Sequence, residues 1–228
     1  MGLPSDGRPN HAAPMRYPLL LILSATLLPL AAEDQMLSGA HVSYTALFNG
    51  AIKTDGQTND WDSGYRAELH LRDYYFPQQS HHPFAEIGFF YEVHEASSDA
   101  IKVDAETIAF RVAIGSAIPL WSSVDGVMSL GVAPELGAHI GTFSVDTRVG
   151  ADHSDDDSFR YGASTGISGW FSYNRSVSVG FGLIGSYWRA TAVDVTVPDG
   201  FGQGGTKELG TNPQGWDLGV RFSVGFLF

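Results

Sequence analysis

The thirteen residues from Trp216 to Phe228 constrain this chain more than any other stretch. Trp216, Leu218, Val220, Phe222, Val224, Phe226 and Phe228 fall on one face at a strict period of two. Asp217, Gly219, Arg221, Ser223 and Gly225 fall on the other, with Leu227 as the one apolar exception. A period of two belongs to a strand, and the glycines and β-forming residues here argue against a helix. A soluble strand alternates over roughly four to eight residues. A longer one left at the end of a soluble chain would offer an apolar edge to aggregation. A strand that crosses hydrocarbon and closes a barrel needs this pattern. The competing reading is the edge strand of a soluble sandwich.

This ending resembles the terminal strand of bacterial outer-membrane β-barrels, in which aromatic or apolar residues at every second position lead to a final Phe. Val220, Phe222, Val224, Phe226 and Phe228 carry the resemblance here. It implies that these five residues form the signal read by the barrel-insertion machinery.

Seven more amphipathic segments precede this one. The cleanest sets Tyr65, Ala67, Leu69 and Leu71 against Arg66, Glu68, His70 and Arg72. Others run from Ala40 to Asn49, from Ala85 to His94, from Thr107 to Gly115, from Met128 to Ile140, from Tyr161 to Phe171 and from Val177 to Trp188. Pro134 sits inside the fifth, where a missing N–H predicts a local irregularity. Asp125-Gly126 and Asn174-Arg175-Ser176 read as tight turns. Eight such segments of about ten residues suit an all-β, transmembrane, antiparallel up-and-down barrel of about eight strands. The whole pattern, from about residue 36 to 228, resembles the small OmpA-, OmpX- and opacity-type barrels. That family places both chain ends in the periplasm and the longer connections outside.

Residues 1–32 read as an export signal. Arg8 and Arg16 flank an apolar run from Leu19 to Leu30, and Leu30-Ala31-Ala32 supplies small residues for cleavage. Twelve residues are too few to span a bilayer. Met15 is an alternative start. Residues 33–228 are then the barrel domain. The chain has no cysteine, so pairing and packing must hold an exported barrel without disulfides.

Charge partitions by face. The net charge is −12, and Asp6, Arg8 and Arg16 contribute +1 of it, so the chain beyond the signal carries −13. The predicted inner face holds Arg66, Arg72, Arg111, Arg160 and Arg221 against Glu68, Glu86, Glu92, Glu135 and Asp217, five of each sign. The predicted outer loops 50–62, 95–104, 142–158 and 191–214 carry −2, −2, −4 and −2, or −10 together. A charge facing lipid costs roughly 2–4 kcal/mol at the midplane, which forces such residues inward. Inside an eight-stranded barrel, charges must pair. A balanced set suits an ion-pair plug better than a pore. The acidic outside disfavours nucleic acid and suits divalent cations among lipopolysaccharide headgroups.

Other candidates are weaker. Inward His41, His70, His94 and His139 read first as hydrogen-bonded lumen residues rather than metal ligands or general bases. His41 and Ser43 share a face, a faint trace of a lipid A-modifying enzyme. Asp152, Asp155, Asp156 and Asp157 are oxygen donors without the spacing of a calcium loop. The expectation is a non-enzymatic barrel in contact with outer-membrane lipid and lipopolysaccharide, without metal or cofactor. It has a plugged lumen and acidic loops of unknown partner, and serves envelope structure or surface interaction. A small porin-like channel and a lipid A-modifying enzyme are the alternatives.

Overall fold

The computed structural model describes residues 36–54, 57–75, 80–97, 101–149, 152–174, 176–191, 193–198, 204–209 and 213–228. The proposed signal, residues 1–32, lies outside them, as does Arg175 of the last short turn. Every described element is a strand: β1 (Met36–Thr54), β2 (Gln57–Asp60), β3 (Ser63–Tyr75), β4 (His82–Ser97), β5 (Ile101–Ser122), β6 (Met128–Val149), β7 (Asp152–Tyr173), β8 (Val177–Ala190), β9 (Val193–Pro198), β10 (Gly204–Leu209) and β11 (Gln214–Leu227).

Eight of them close an antiparallel barrel in the order β1-β3-β4-β5-β6-β7-β8-β11, with β11 returning to β1. The terminal stretch makes this seam. Phe226 lies opposite Ala40, Val224 opposite Val42 and Phe222 opposite Tyr44. Ser38 and Phe228 exchange both backbone bonds, at 2.9 and 3.3 Å. Closure leaves no barrel edge unpaired, the condition for crossing a membrane with strands.

Register fixes the barrel's girth. Followed strand to strand, Val42 leads through Leu69, Phe89, Phe110, Ile140, Tyr161, Arg189 and Gln214 back to Lys53. That is eleven residues beyond the start, and one of them is the bulge between Leu47 and Asn49. The stagger is therefore ten. With roughly 3.3 Å per residue and 4.8 Å between strands, it tilts the strands by about 40° and gives a backbone radius of about 8 Å.

The outer surface carries the apolar belt that the alternation predicts. Val42, Leu69, Phe89, Ile108, Ile114, Leu136, Ile167, Phe181 and Phe222 are all exposed. Tyr65, Tyr161, Tyr187 and Trp216 also face outward, as interface girdle residues do. Trp188, near the same level, turns inward and is fully buried.

Two features depart from the sequence reading, and the irregularity expected at Pro134 takes the form of a lapse in pairing. The stretches 50–62, 95–104 and 142–158 are largely strand: β6 and β7 stay paired from Met128–Tyr173 up to Val149–Asp152. A 22-residue strand at this tilt rises about 55 Å, far beyond an apolar band of about 25 Å. This hairpin therefore stands well clear of the belt. The segment 191–214 contains the β9–β10 hairpin. Pro134 keeps its register with Ile167 on β7. On the β5 side the pairing lapses between Gly115–Glu135 and Ile118–Val132, because Pro134 has no N–H to give, yet no shift results. The shift comes later, between Pro119 and Trp121.

Both termini of the barrel and its short turns lie at one end, here called the turn end. The β5–β6 turn is built on Gly126, whose φ of +69° suits a residue without a side chain. Its N–H bonds Ser123 O at 2.9 Å. The β7–β8 turn places Asn174 at φ +50°, a conformation asparagine tolerates.

Candidate functional site

Alternation sends all ten predicted lumen charges inward, and all ten are buried. They assemble into two layers, each electrically balanced.

The layer nearer the loop end joins Arg66 and Arg160 to Glu92 and Asp217. Arg66 Nε donates to Glu92 Oε2 at 2.5 Å, and its Nη2 pairs with the same carboxylate. Arg160 Nη1 donates to Glu92 Oε1 at 2.5 Å and to Thr107 Oγ1 at 2.7 Å. Asp217 Oδ2 accepts from Ser186 Oγ and Trp188 Nε1, each at 3.1 Å, and lies 3.5 Å from Arg160 Nη2. His94 sits between the acids, its Nε2 3.1 Å from Glu92 and 3.3 Å from Asp217.

The second layer joins Arg72, Arg111 and Arg221 to Glu86, Glu135 and Glu68. Glu135 is its hub. It receives Arg221 through a bidentate pair at 2.7 and 2.7 Å and Arg111 at 2.6 Å. Glu86 binds Arg72 at 2.7 and 2.9 Å and Arg111 through Nη1. Glu68 links the layers, 3.8 Å from Arg66 Nη1 and 3.8 Å from Arg221 Nη1. Bidentate guanidinium–carboxylate geometry is the strong form of such pairs. The arginine planes are also supported by ring faces: Arg66 over Phe90, Arg72 over Phe84 and Arg160 over Trp188, at 4.6, 4.1 and 4.4 Å.

Above the charged layers lies an apolar cap that the sequence reading missed. Trp61, Ala105, Phe143, Val145, Trp188 and Ala190 form one buried cluster. Trp61 stacks on His94 at 4.9 Å, and Phe143 meets Trp188 at 5.0 Å. Gly215 makes room for this packing, since a Cβ there would run into the Trp188 ring. Trp61 and Phe143 fall in stretches read as polar loops. Their signal was parity: Phe143 and Val145 continue the inward face of β6 set by Glu135 and His139.

Below the charged layers the barrel is not filled. A cavity of about 670 Å³ runs from Arg72 and Arg221 to the turn end, where Tyr74, His82 and Gly126 line it.

The remaining candidates are placed as follows. His41 and His70 stack face to face at 5.2 Å beside the cavity. His139 packs edge-on against Phe90. Ser43 is buried on the lumen side with His41, away from the lipid face. Glu92, His94 and Asp217 present ligand atoms within 4.8 Å of one another. Arg66 and Arg160 already neutralise that group, so a divalent cation would have to displace a guanidinium. Asp152, Asp155, Asp156 and Asp157 lie on β7. There Asp157 accepts from Ser144 Oγ at 2.5 Å, and Asp156 Oδ1 accepts from the Asp157 N–H at 2.9 Å.

No protein-family model matches this sequence, and no curated protein does. Solved structures do. A major outer-membrane protein from Thermus thermophilus matches over 84% of this chain and 99% of its own, at 12% identity and a TM-score of 0.51. Neisserial surface protein A matches over 84% and 96%, at 13% identity and 0.44. Ail, the attachment invasion locus protein of Yersinia pestis, matches over 83% and 99%, at 12% identity and 0.34. At these identities the likeness speaks to fold. The first of these matches, together with the closed eight-stranded sheet and its apolar belt, gives this protein the fold of a transmembrane outer-membrane β-barrel.

Proposed function

We propose that this barrel is a non-enzymatic envelope protein whose lumen is closed by its own side chains, and which acts through its membrane belt and loop end. The observation that carries the reading is the stacking of two neutral ion-pair layers under an apolar cap. Three arginines face three glutamates in one layer, and two face Glu92 and Asp217 in the other. An ion crossing this lumen would have to break bidentate pairs and then pass Trp61, Phe143 and Trp188. A porin lumen is wide and wet, whereas a bore about 8 Å in backbone radius is narrow enough for side chains to cross it, as they do at the charged layers and the cap. The non-enzymatic reading draws support from His41 and Ser43, which face the lumen, out of reach of a lipid acyl chain.

In this reading the belt contacts outer-membrane lipid, and the acidic extensions of β5, β6 and β7 stand among lipopolysaccharide headgroups. The terminal strand engages the insertion machinery. Planar-bilayer recording tests the plug. The unmutated protein should show only rare, small openings, and Arg221→Ala should raise both their frequency and their size. A large steady conductance that Arg221→Ala leaves unchanged would make the barrel a channel instead.

A further inference from the structure

We infer that the turn-end cavity is a binding chamber for a small oxyanion, a phosphate or carboxylate group on a polar solute, entering from the periplasmic side. The chain carries 25 acidic residues, yet among the described residues none of the 21 that line the cavity is Asp or Glu. The lining instead holds Arg72, Arg221, three histidines and seven serines. Every charged side chain among these described lining residues is therefore cationic, and most of the rest can donate a hydrogen bond.

The two arginines form the floor, and their pairing leaves them able to act. Arg72 gives Nε and Nη2 to Glu86, and its Nη1 reaches only Tyr74 Oη at 3.4 Å. Arg221 commits Nη1 and Nη2 to Glu135, and the further reach of Nη2 is to Ser168 Oγ at 3.4 Å. A guanidinium has five N–H donors, so a bidentate pair does not exhaust it. Tyr74 and Ser168 both belong to the chamber wall. Glu86 and Glu135 pair with the arginines from outside the lining, Glu86 also lying 3.4 Å from His70 Nε2, so the guanidinium edges are the charged groups that an entering anion meets.

The walls add polar atoms that no described residue satisfies. His41 Nε2, Ser43 Oγ and His70 Nδ1 are buried without a hydrogen-bond partner, in residues only 4%, 2% and 4% exposed. All three residues line the chamber, with the two imidazoles stacked. A buried polar group left unpaired is costly, and a ligand in the chamber would complete these three. A cavity of about 670 Å³ falls within the usual range for a small-molecule site, roughly 300–1,000 Å³. The cap and both charged layers separate it from the loop end, which leaves the turn end as its mouth.

Inorganic phosphate and acetate are the probes, with glucose as the uncharged control and tetramethylammonium as the cationic one. The protein is folded in dodecyl maltoside micelles, and binding is followed by calorimetry and by the fluorescence of Trp170, which lines the chamber. Saturable one-to-one binding of phosphate, acetate or both is expected, without binding of either control. The ratio of the two affinities assigns the headgroup. Ser172→Trp, which projects a large ring into the space, should weaken binding at least tenfold, and His41→Phe about fivefold. Phe143→Leu, in the cap at the other end, should leave it within twofold. Ser129→Phe fills the chamber from another strand and substitutes for Ser172→Trp if that variant does not fold. Absence of saturable anion binding, equal binding of glucose, or anion binding that survives both filling variants would overturn the inference.

Discussion

Replacing Glu135 by Gln removes one charge from the hub of the lower layer and leaves its shape nearly intact. In the native barrel Glu135 receives Arg221 at 2.7 Å through both oxygens, Arg111 at 2.6 Å and Arg72 at 3.6 Å. The layer would pass from three charges of each sign to three positive and two negative. At an effective dielectric near 20, a close pair attracts by about 4 kcal/mol before desolvation is counted. Desolvation offsets much of that gain while the pair is intact. Once one partner is neutralised, the cost of the remaining buried charge stands uncompensated, about 3–5 kcal/mol. Unfolding in urea from lipid vesicles should therefore show a loss of that size for Glu135→Gln. The double variant Glu135→Gln, Arg221→Gln restores balance at two charges of each sign and should recover about half or more of it. The reasoning fails if Glu135→Gln is neutral within about 0.5 kcal/mol. It fails equally if the double variant is no more stable than the single one, for the charge balance would then contribute nothing.

The seam, the cap and a turn give three further tests. Deleting Phe228 removes the residue that exchanges both backbone bonds with Ser38, and should slow and reduce assembly into the outer membrane of cells; normal yield and rate would refute a role in closure. Trp188→Ala empties the cap and takes a donor from Asp217, and should cost about 3–5 kcal/mol by the same unfolding assay; less than about 1 kcal/mol would mean that the cap is not packed. In the β5–β6 turn, the Ser123 hydroxyl and then the Val127 N–H hold the Asp125 carboxyl below the usual carboxylate range. A carboxyl lowered on folding stabilises the turn above its unfolded pKa and loses that contribution as pH falls through the lowered value. The Val127 amide resonance should accordingly titrate below the midpoint of a free turn peptide, and a midpoint at or above the peptide's would contradict the geometry.

Much of this molecule was legible because, in a barrel, parity decides the side. Once Leu69 and Phe222 are assigned to lipid, Glu68 and Arg221 must face the lumen, and no knowledge of the fold's details is needed. Who pairs with whom was not legible. Glu135 and Arg221 are 86 positions apart and meet across the bore, which depends on a stagger of ten accumulated over eight strand pairs. That stagger includes a bulge at Leu47–Asn49, which no local sequence signal marked. The irregularity expected at Pro134 on β6 is a lapse of pairing rather than a bulge, since β5 skips its partner and the register holds; the register shift lies at Pro119 on β5.

The missed cap and the misread loops have one physical origin. Inside the belt, alternation runs apolar outward and polar inward, because lipid lies outside and paired charges lie within. Above it the solvent outside is water, so the same parity must carry the opposite chemistry. On β6, Leu136 and Ile140 face out while Glu135 and His139 face in; then Ser144 and Asp146 face out while Phe143 and Val145 face in. On β5, Ile108 and Val112 face out, but Glu106 and Lys102 replace them higher up, over buried Ala105. The strands do not end where the pattern breaks; the pattern reverses phase. The register sets Ile108 opposite Thr142 and Glu106 opposite Ser144, and the reversal falls between those two rows. A search for amphipathic segments with one fixed outward chemistry stops at that level and reads the rest as acidic loop. A search that keeps parity and allows the sign to invert continues through Phe143 and Val145, and finds both the protruding hairpin and the apolar side chains packed beneath it.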